Sequence, residues 1–303
     1  MIDSRLSGAV LVLTAGLFPG PLHHHPARPA QVSAIGYTAN QLDCARFLET
    51  GESRILTEAG GRIRNQTSAR RGFWQFRAAP LNGNVSLEGW LDTLMLTRRS
   101  PEAAISPDTD GLIGGRYRGA LSRTGVYTST VRPFVPDEVA EMAEMSGALD
   151  DFFPPLPARA LRSGEEWTDS LGLTIRRLPD SAVSGVSLLR FSLKSRKESR
   201  AAPSPADTMP LKLRQKTQEE GEFVWHPTLG LLRRDRRIVV ETTVPPSRSV
   251  RQAVRSKVEQ RITLARDLRA SRGASRNAAP DRTAGRPRPE APGKTRPEPG
   301  CRS

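Results

Sequence analysis

The chain is poor in the residues that do most enzymatic chemistry. Of 303 residues two are cysteine, Cys44 and Cys301, and four are histidine, with His23, His24 and His25 consecutive. No C-x-x-C pair exists, and two thiols so far apart along the chain are expected to be unpaired. No G-x-S-x-G, H-E-x-x-H, P-loop or G-x-G-x-x-G occurs either, which leaves the common hydrolase, zincin, nucleotide and dinucleotide classes without a signature. Aromatic residues make up only 5%, and none accompanies the basic C-terminal segment, so a base-stacking platform for nucleic acid is not expected there. Beyond Ser271 large apolar residues are absent altogether. A segment with so little surface to bury cannot offset its ordering entropy, and 267–303 is predicted to be a disordered basic Pro/Arg-rich tail.

Charge is abundant and weighted to the positive: the net charge is +14 and the pI near 10.9. Nearly all basic residues are Arg, with lysine confined to Lys194, Lys197, Lys212, Lys216, Lys257 and Lys294. Arg scattered along alternating strands reads as a solvated face rather than a specific nucleic-acid groove. From Arg266 onward ten Arg or Lys face four Asp or Glu, which permits weak, salt-dependent contact with an anionic partner.

The N-terminal stretch has a single early Arg5, an apolar run from Leu6 to Phe18 and then Pro19, Gly20 and Pro21. The run is too short to span a bilayer comfortably and ends in helix breakers, the pattern of an export signal. Residues 1–34 are therefore expected to be signal and linker, with cleavage after Ala34 or Ala30, giving a periplasmic or secreted protein with no transmembrane span in its mature form. Asp43 stands where a lipobox needs a small residue, so Cys44 is not expected to carry a lipid. The histidine triplet falls in the processed linker, which gives it no metal to hold.

Strands dominate the rest. Val85, Leu87, Gly89 and Leu91 alternate with Ser86, Glu88, Trp90 and Asp92, and Ile113 to Leu121 continues the two-residue period. Turns are expected at Ala59-Gly60-Gly61, Asn82-Gly83-Asn84, Arg123-Thr124-Gly125 and His226 to Gly230. Trp167 to Ile175, Val186 to Leu193 and Leu211 to Thr217 read as further strands. The span 250–264 fits both periods; its β-branched inward positions favour a strand, with a basic amphipathic helix as the alternative. One helix is expected near 136–152, opened by Pro136 and early acidic residues, with Val139, Met142, Leu149 and Phe153 at helical spacing.

Chemistry-bearing motifs are few. Asp108-Thr109-Asp110-Gly111 opens like a calcium loop but lacks its closing Glu, and a plain Asp-Gly turn accounts for it. Asp150 and Asp151 are adjacent and would diverge by about 100° on a helix, unlike an acid/base pair. The sequons at Asn65 and Asn84 are read as chance matches. His226 is the only histidine outside the leader, and its place before Pro227 fits a turn better than a general base.

The connector over 153–164 is the least ordinary element. Phe152 and Phe153 anchor it, Pro154, Pro155 and Pro157 force an extended path, and Gly164 precedes Trp167 and Thr168. With the late Gly221-Glu222-Phe223 and Gly230-Leu231-Leu232 hairpin, these residues resemble a group of uncharacterised exported bacterial β-rich proteins that carry a P-x-L-P…G-x-x-W-T connector. The layout of strands, helix, connector and strands is more distantly similar to the half-barrels of outer-membrane lipoprotein carriers. That resemblance implies a curved sheet able to hold a hydrophobic ligand.

The expected architecture is mainly β with one inserted helix (α+β), a curved antiparallel, half-open barrel-like sheet forming a single domain over 35–266. The expected role is a non-enzymatic envelope protein that binds a lipid or other hydrophobic ligand or serves as a structural or interaction module. The alternatives are polyanion or anionic-surface binding through the tail, and a hydrolase built on His226. Ligand contact is expected at Trp90, Val139, Met142, Leu149, Phe152, Phe153 and Trp167, with no catalytic residue, metal or cofactor.

Overall fold

The computed structural model describes residues 34–136, 139, 149–201, 213–246 and 252–268. The export segment, most of the expected helix including Met142, the 202–212 and 247–251 loops and the tail from 269 lie outside these. After a single helical turn, α1 (Ala39–Leu42), six strands follow: β1 (Arg46–Ala59), β2 (Arg62–Leu81), β3 (Asn84–Arg99), β4 (Ala104–Ile105), β5 (Tyr117–Leu121) and β6 (Tyr127–Val131). Six more come after the connector: β7 (Glu166–Thr168), β8 (Thr174–Val183), β9 (Val186–Ala201), β10 (Leu213–His226), β11 (Gly230–Val244) and β12 (Val254–Arg266).

All twelve form one curved sheet that does not close, in the order β6-β5-β3-β2-β1-β12-β11-β10-β9-β8-β7, with β4 against β3. Every strand pair is antiparallel. The sheet is thus two meanders laid side by side. The first runs outward from β1 to the edge at β6, and the second begins at the opposite edge, β7, and returns until β12 pairs with β1 from Phe47↔Arg266 to Ala59↔Val254. The chain between β6 and β7 must pass from one edge to the other, and it does so across the inner face.

Alternation decides which side chains meet it. Phe47, Trp74, Phe76, Leu87, Phe191, Leu193, Phe223 and Trp225 face inward and are buried together with Phe152, Phe153 and Leu156 of the connector. Phe152 packs against Phe47, Trp74 and Phe76 with ring centroids 5.2–5.7 Å apart, and Phe153 lies 5.3 Å from Tyr37. Proline removes amide donors but leaves carbonyls to satisfy: the Tyr37 hydroxyl donates to the Pro154 carbonyl at 3.0 Å, and Leu156 N–H donates to the Thr124 carbonyl at 2.8 Å.

The span 250–264, ambiguous by period, is strand from Val254 onward. Three local expectations are corrected. Ile113 to Leu121 is not one strand: Asp110–Leu112 is a 3-10 turn, Gly114 takes a left-handed backbone (φ 78°), and regular pairing starts only at Tyr117. Trp167 to Ile175 is interrupted because the Asp169 carboxylate accepts the N–H groups of Leu171 and Leu173, both at 2.8 Å, closing a turn between β7 and β8. Cys44, expected to be an unpaired thiol, is disulfide-bonded; the chain's other cysteine, Cys301, lies outside the described residues. β12 ends beside the start of β1, where Asp267 N–H donates to the Arg46 carbonyl at 2.8 Å.

All three tyrosines of the chain hold their protons more tightly than a free phenol. Burial raises Tyr37 and Tyr127, and burial first, with nearby Glu49 and Tyr127 adding, pushes Tyr117 up to about 12. The folded state binds more protons than the unfolded chain above the free value of about 10. Stability from these groups is therefore complete below pH 10 and is lost as pH climbs toward 12. Phenolate absorbance should rise only together with loss of the β-sheet circular dichroism signal, and Tyr37→Phe should make the alkaline transition shallower. Ionisation near pH 10 with the sheet signal intact would contradict the assignment.

Candidate functional site

The inner face is best followed as rows of paired residues. The row Phe223, Arg234, Leu264 and Glu49 borders the aromatic core. Next comes Gly221, Arg236, Ile262, Gly51 and Arg70, then Glu219, Ile238, Gln260, Ser53 and Ser68, then Thr217, Val240, Val258 and Ile55. Gln215, Thr242, Ser256 and Thr57 follow as a polar row, and Val244 and Val254 lie beyond it. A belt of charge thus separates the core from a second apolar strip.

The belt is half-buried, with Arg234 fully so, and internally paired. Arg234, 4% exposed, donates through Nη1 to the carbonyls of Asp151 and of Phe152, the latter at 3.0 Å, and through Nη2 to Glu219 at 3.4 Å. Arg236 donates to the same Glu219 oxygen at 2.8 Å and to the Asp151 carbonyl at 3.2 Å. Arg70 pairs with Glu49 at 2.6 Å, and Trp74 Nε1 donates to the other Glu49 oxygen at 2.7 Å. The Arg234 Nε is buried with no hydrogen-bond partner. Burial, and after it the neighbouring Arg236 charge, pulls the Arg234 guanidinium below its ordinary pKa, partly opposed by Glu219.

These groups surround a cavity of about 110 Å³ beneath the connector, walled by Glu49, Arg70, Asp151, Arg234, Arg236 and Gln260 on its polar side and by Phe152, Ile238, Ile262 and Leu264 on its apolar side. Gly51 matters to its shape: a Cβ there would lie 3.0 Å from the Arg70 Cγ and Nε, so the missing side chain lets Arg70 lie across the strand.

Of the residues expected to contact a ligand, Val139, Leu149, Phe152 and Phe153 are buried in the core, and Trp167 packs partly buried against it. Phe152 alone of them reaches the cavity. Trp90 is on the other side of β3, since Leu91 and Gly89 face the core; its indole donates to Asp92 at 3.1 Å and the Arg116 guanidinium lies 3.7 Å over its ring. Met142 is outside the described residues. The His226 Nδ1 accepts the N–H groups of Thr228 and Leu229 at 3.0 and 3.1 Å, which closes the β10–β11 turn. The Asp108 carboxylate accepts Asp110 N–H at 2.9 Å, again a turn.

The outer face carries two open grooves of about 480 Å³ each, lined largely by charged side chains such as Glu52, Arg54, Arg237, Glu259 and Arg261. Much of that charge is paired across strands, as in Arg237 with Glu220 and Glu259, and Arg190 with Glu222. Exposed pairs of this kind add little stability.

The belt escaped the sequence reading because Arg233 to Arg237 is a run of charge on both faces of β11, and two-residue alternation is silent where both parities are polar. Only the register, with Arg234 opposite Phe223 and Arg236 opposite Gly221, marks the inward pair.

No family model and no curated protein matches the chain. Among solved structures it is similar to a DUF1329 family protein from Desulfovibrio piger, at 9% identity over 73% of this chain and 86% of that one, with a TM-score of 0.16. It is also similar to a domain described as an outer membrane lipoprotein-sorting protein from Vibrio parahaemolyticus, at 8% identity over 73% and 83% of the two chains, with a TM-score of 0.15.

Removing one partner of a buried ion cluster leaves the others uncompensated, at a cost of about 3–5 kcal/mol. Glu219→Gln should lower unfolding free energy by that order in urea titrations, whereas Glu222→Gln on the exposed outer face should change it by under about 1 kcal/mol. Equal effects would mean the belt is solvated.

Proposed function

We propose that the protein is a non-enzymatic component of the bacterial cell envelope that holds a hydrophobic ligand on the inner face of its sheet. One observation carries the reading: the strands run on past the connector, and the inward residues there form a half-buried surface in which two apolar rows, Ile55, Val240 and Val258, and then Val244 and Val254, flank the polar row of Thr57, Gln215, Thr242 and Ser256. Among the described residues no helix or strand packs over it. A concave apolar surface beside a few placed polar groups is the usual form of a small-molecule site.

The location supports a place outside the cytosol. The bonded Cys44 fits an oxidising compartment, as does the export pattern of the leader. No helix among the described residues is long and apolar enough to cross a membrane. The absence of an enzymatic assignment rests on the placement of the chemistry-bearing groups: His226 and the Asp108 to Gly111 segment form turns, and the half-buried carboxylates Glu49 and Glu219 are bound by arginine.

Native mass spectrometry of the exported chain, purified from a periplasmic extract without detergent, tests the reading. The expected result is a reproducible adduct of lipid mass that is lost when Val240 and Val258 are both replaced by Asp in a variant that keeps its sheet signal. A clean unliganded mass, together with no uptake of an added fluorescent hydrophobic probe, would remove hydrophobic binding as the function and leave a structural or interaction role.

A further inference from the structure

From the distribution of charge along the strands we infer that the protein docks on an anionic bilayer surface through one end of its sheet, the end formed by the β1–β2, β9–β10 and β11–β12 hairpins. The inference goes beyond the hydrophobic-ligand reading and does not depend on it.

Register brings the three hairpins together. Ala59 pairs with Arg62 and with Val254, Val254 with Val244, and Arg214 with Thr243 and Arg200. All three chain reversals therefore lie at one end, about 40 Å along β1 from Phe47 at ~3.4 Å per residue. The segments that form this end, 54–67, 196–218 and 239–259, carry thirteen Arg or Lys against five Asp or Glu. The rest of the described chain carries 22 against 19, so the surplus is concentrated at the hairpin end and not spread over the fold.

The charge there is available. Arg62, Arg64, Arg196, Lys197, Arg214 and Arg255 are exposed and have no ion-pair partner among the described residues, while the half-buried Lys257 holds Glu259 at 2.9 Å. Charge on edge strands guards an open sheet against pairing with another chain. Arg214 and Arg255 do not serve that purpose, since β10 and β12 are interior strands.

A surplus of this kind draws any polyanion, and the apolar residue set within it selects a bilayer. Ile63 follows the Gly60-Gly61 turn and is 74% exposed, with Arg62 and Arg64 on either side of it in the chain. The sheet meets a surface end-on here, so residues of both parities reach it. A soluble polyanion offers Ile63 nothing, whereas at a bilayer the side chain enters the acyl boundary while the neighbouring guanidiniums meet phosphate. Val244 and Val254, the outermost apolar row of the inner face, end at the same place, so this docking sets the open end of that face against lipid.

The test is sedimentation of the full exported chain with vesicles of phosphatidylcholine alone and of phosphatidylcholine with phosphatidylglycerol. The protein is expected to bind only the anionic vesicles and to lose affinity steeply as salt is raised. Arg62→Gln with Arg64→Gln should weaken binding about 25-fold, about fivefold for each charge lost near the surface, whereas Arg286→Gln with Arg288→Gln in the tail should leave it unchanged. Ile63→Ser should weaken vesicle binding about tenfold and leave binding to heparin, a soluble polyanion, as it was. All three variants alter exposed or tail positions and should keep the sheet signal of the parent. A hairpin variant that binds like the parent, or a tail variant that loses as much, overturns the surface. Ile63→Ser without effect on vesicle binding overturns the bilayer and makes a soluble polyanion the partner. No binding to anionic vesicles at low salt overturns the inference outright, and the hydrophobic-ligand reading then stands or falls on its own mass-spectrometric test.

Discussion

The structure depends on one requirement: the chain must cross from one edge of an open sheet to the other, and the crossing must be buried. A free-standing sheet of this width would expose its inner aromatic rows to water. The connector fills that space with Phe152, Phe153 and Leu156, each at most 6% exposed, at a gain of about 1.5–3 kcal/mol per large side chain. Its prolines make the path cheap in entropy, because they restrict the unfolded chain as well as the folded one. The Tyr37 hydroxyl then satisfies the one carbonyl, that of Pro154, carried to the centre of the core.

The same crossing produces the charged belt. Where the connector ends its apolar anchor, the carbonyls of Asp151 and Phe152 point at the sheet and need donors, and Arg234 and Arg236 supply them. Lysine would serve poorly, since one ammonium cannot bridge two carbonyls and a carboxylate with fixed planar geometry. The belt is therefore structural in origin.

Much of the fold was legible. Strand alternation around Val85–Leu91, the glycine turns at 60–61 and 82–83, and the final strand at 254–266 follow from local rules, because a sheet with one buried face writes its period into the sequence. The breaks at Gly114 and Asp169 were harder, since a turn held by one side-chain acceptor leaves the apolar period on either side intact. Of the expected contact residues, the phenylalanines of the connector are central, but as core. Trp90 shows the limit of residue type: a large aromatic on a strand does not announce its face, and its parity puts it on the outer side beneath Arg116.

By itself the sequence determined the class of fold, the position of the turns and the existence of a rigid proline-locked crossover, because propensity, period and backbone restriction act over a few residues. Only the tertiary structure decided which edge strands the crossover joins, that Cys44 is bonded, and that Arg234 and Arg236 face inward. These depend on which strands become neighbours and in what register. That choice is made by burial summed over the whole sheet, and no short window of residues contains it.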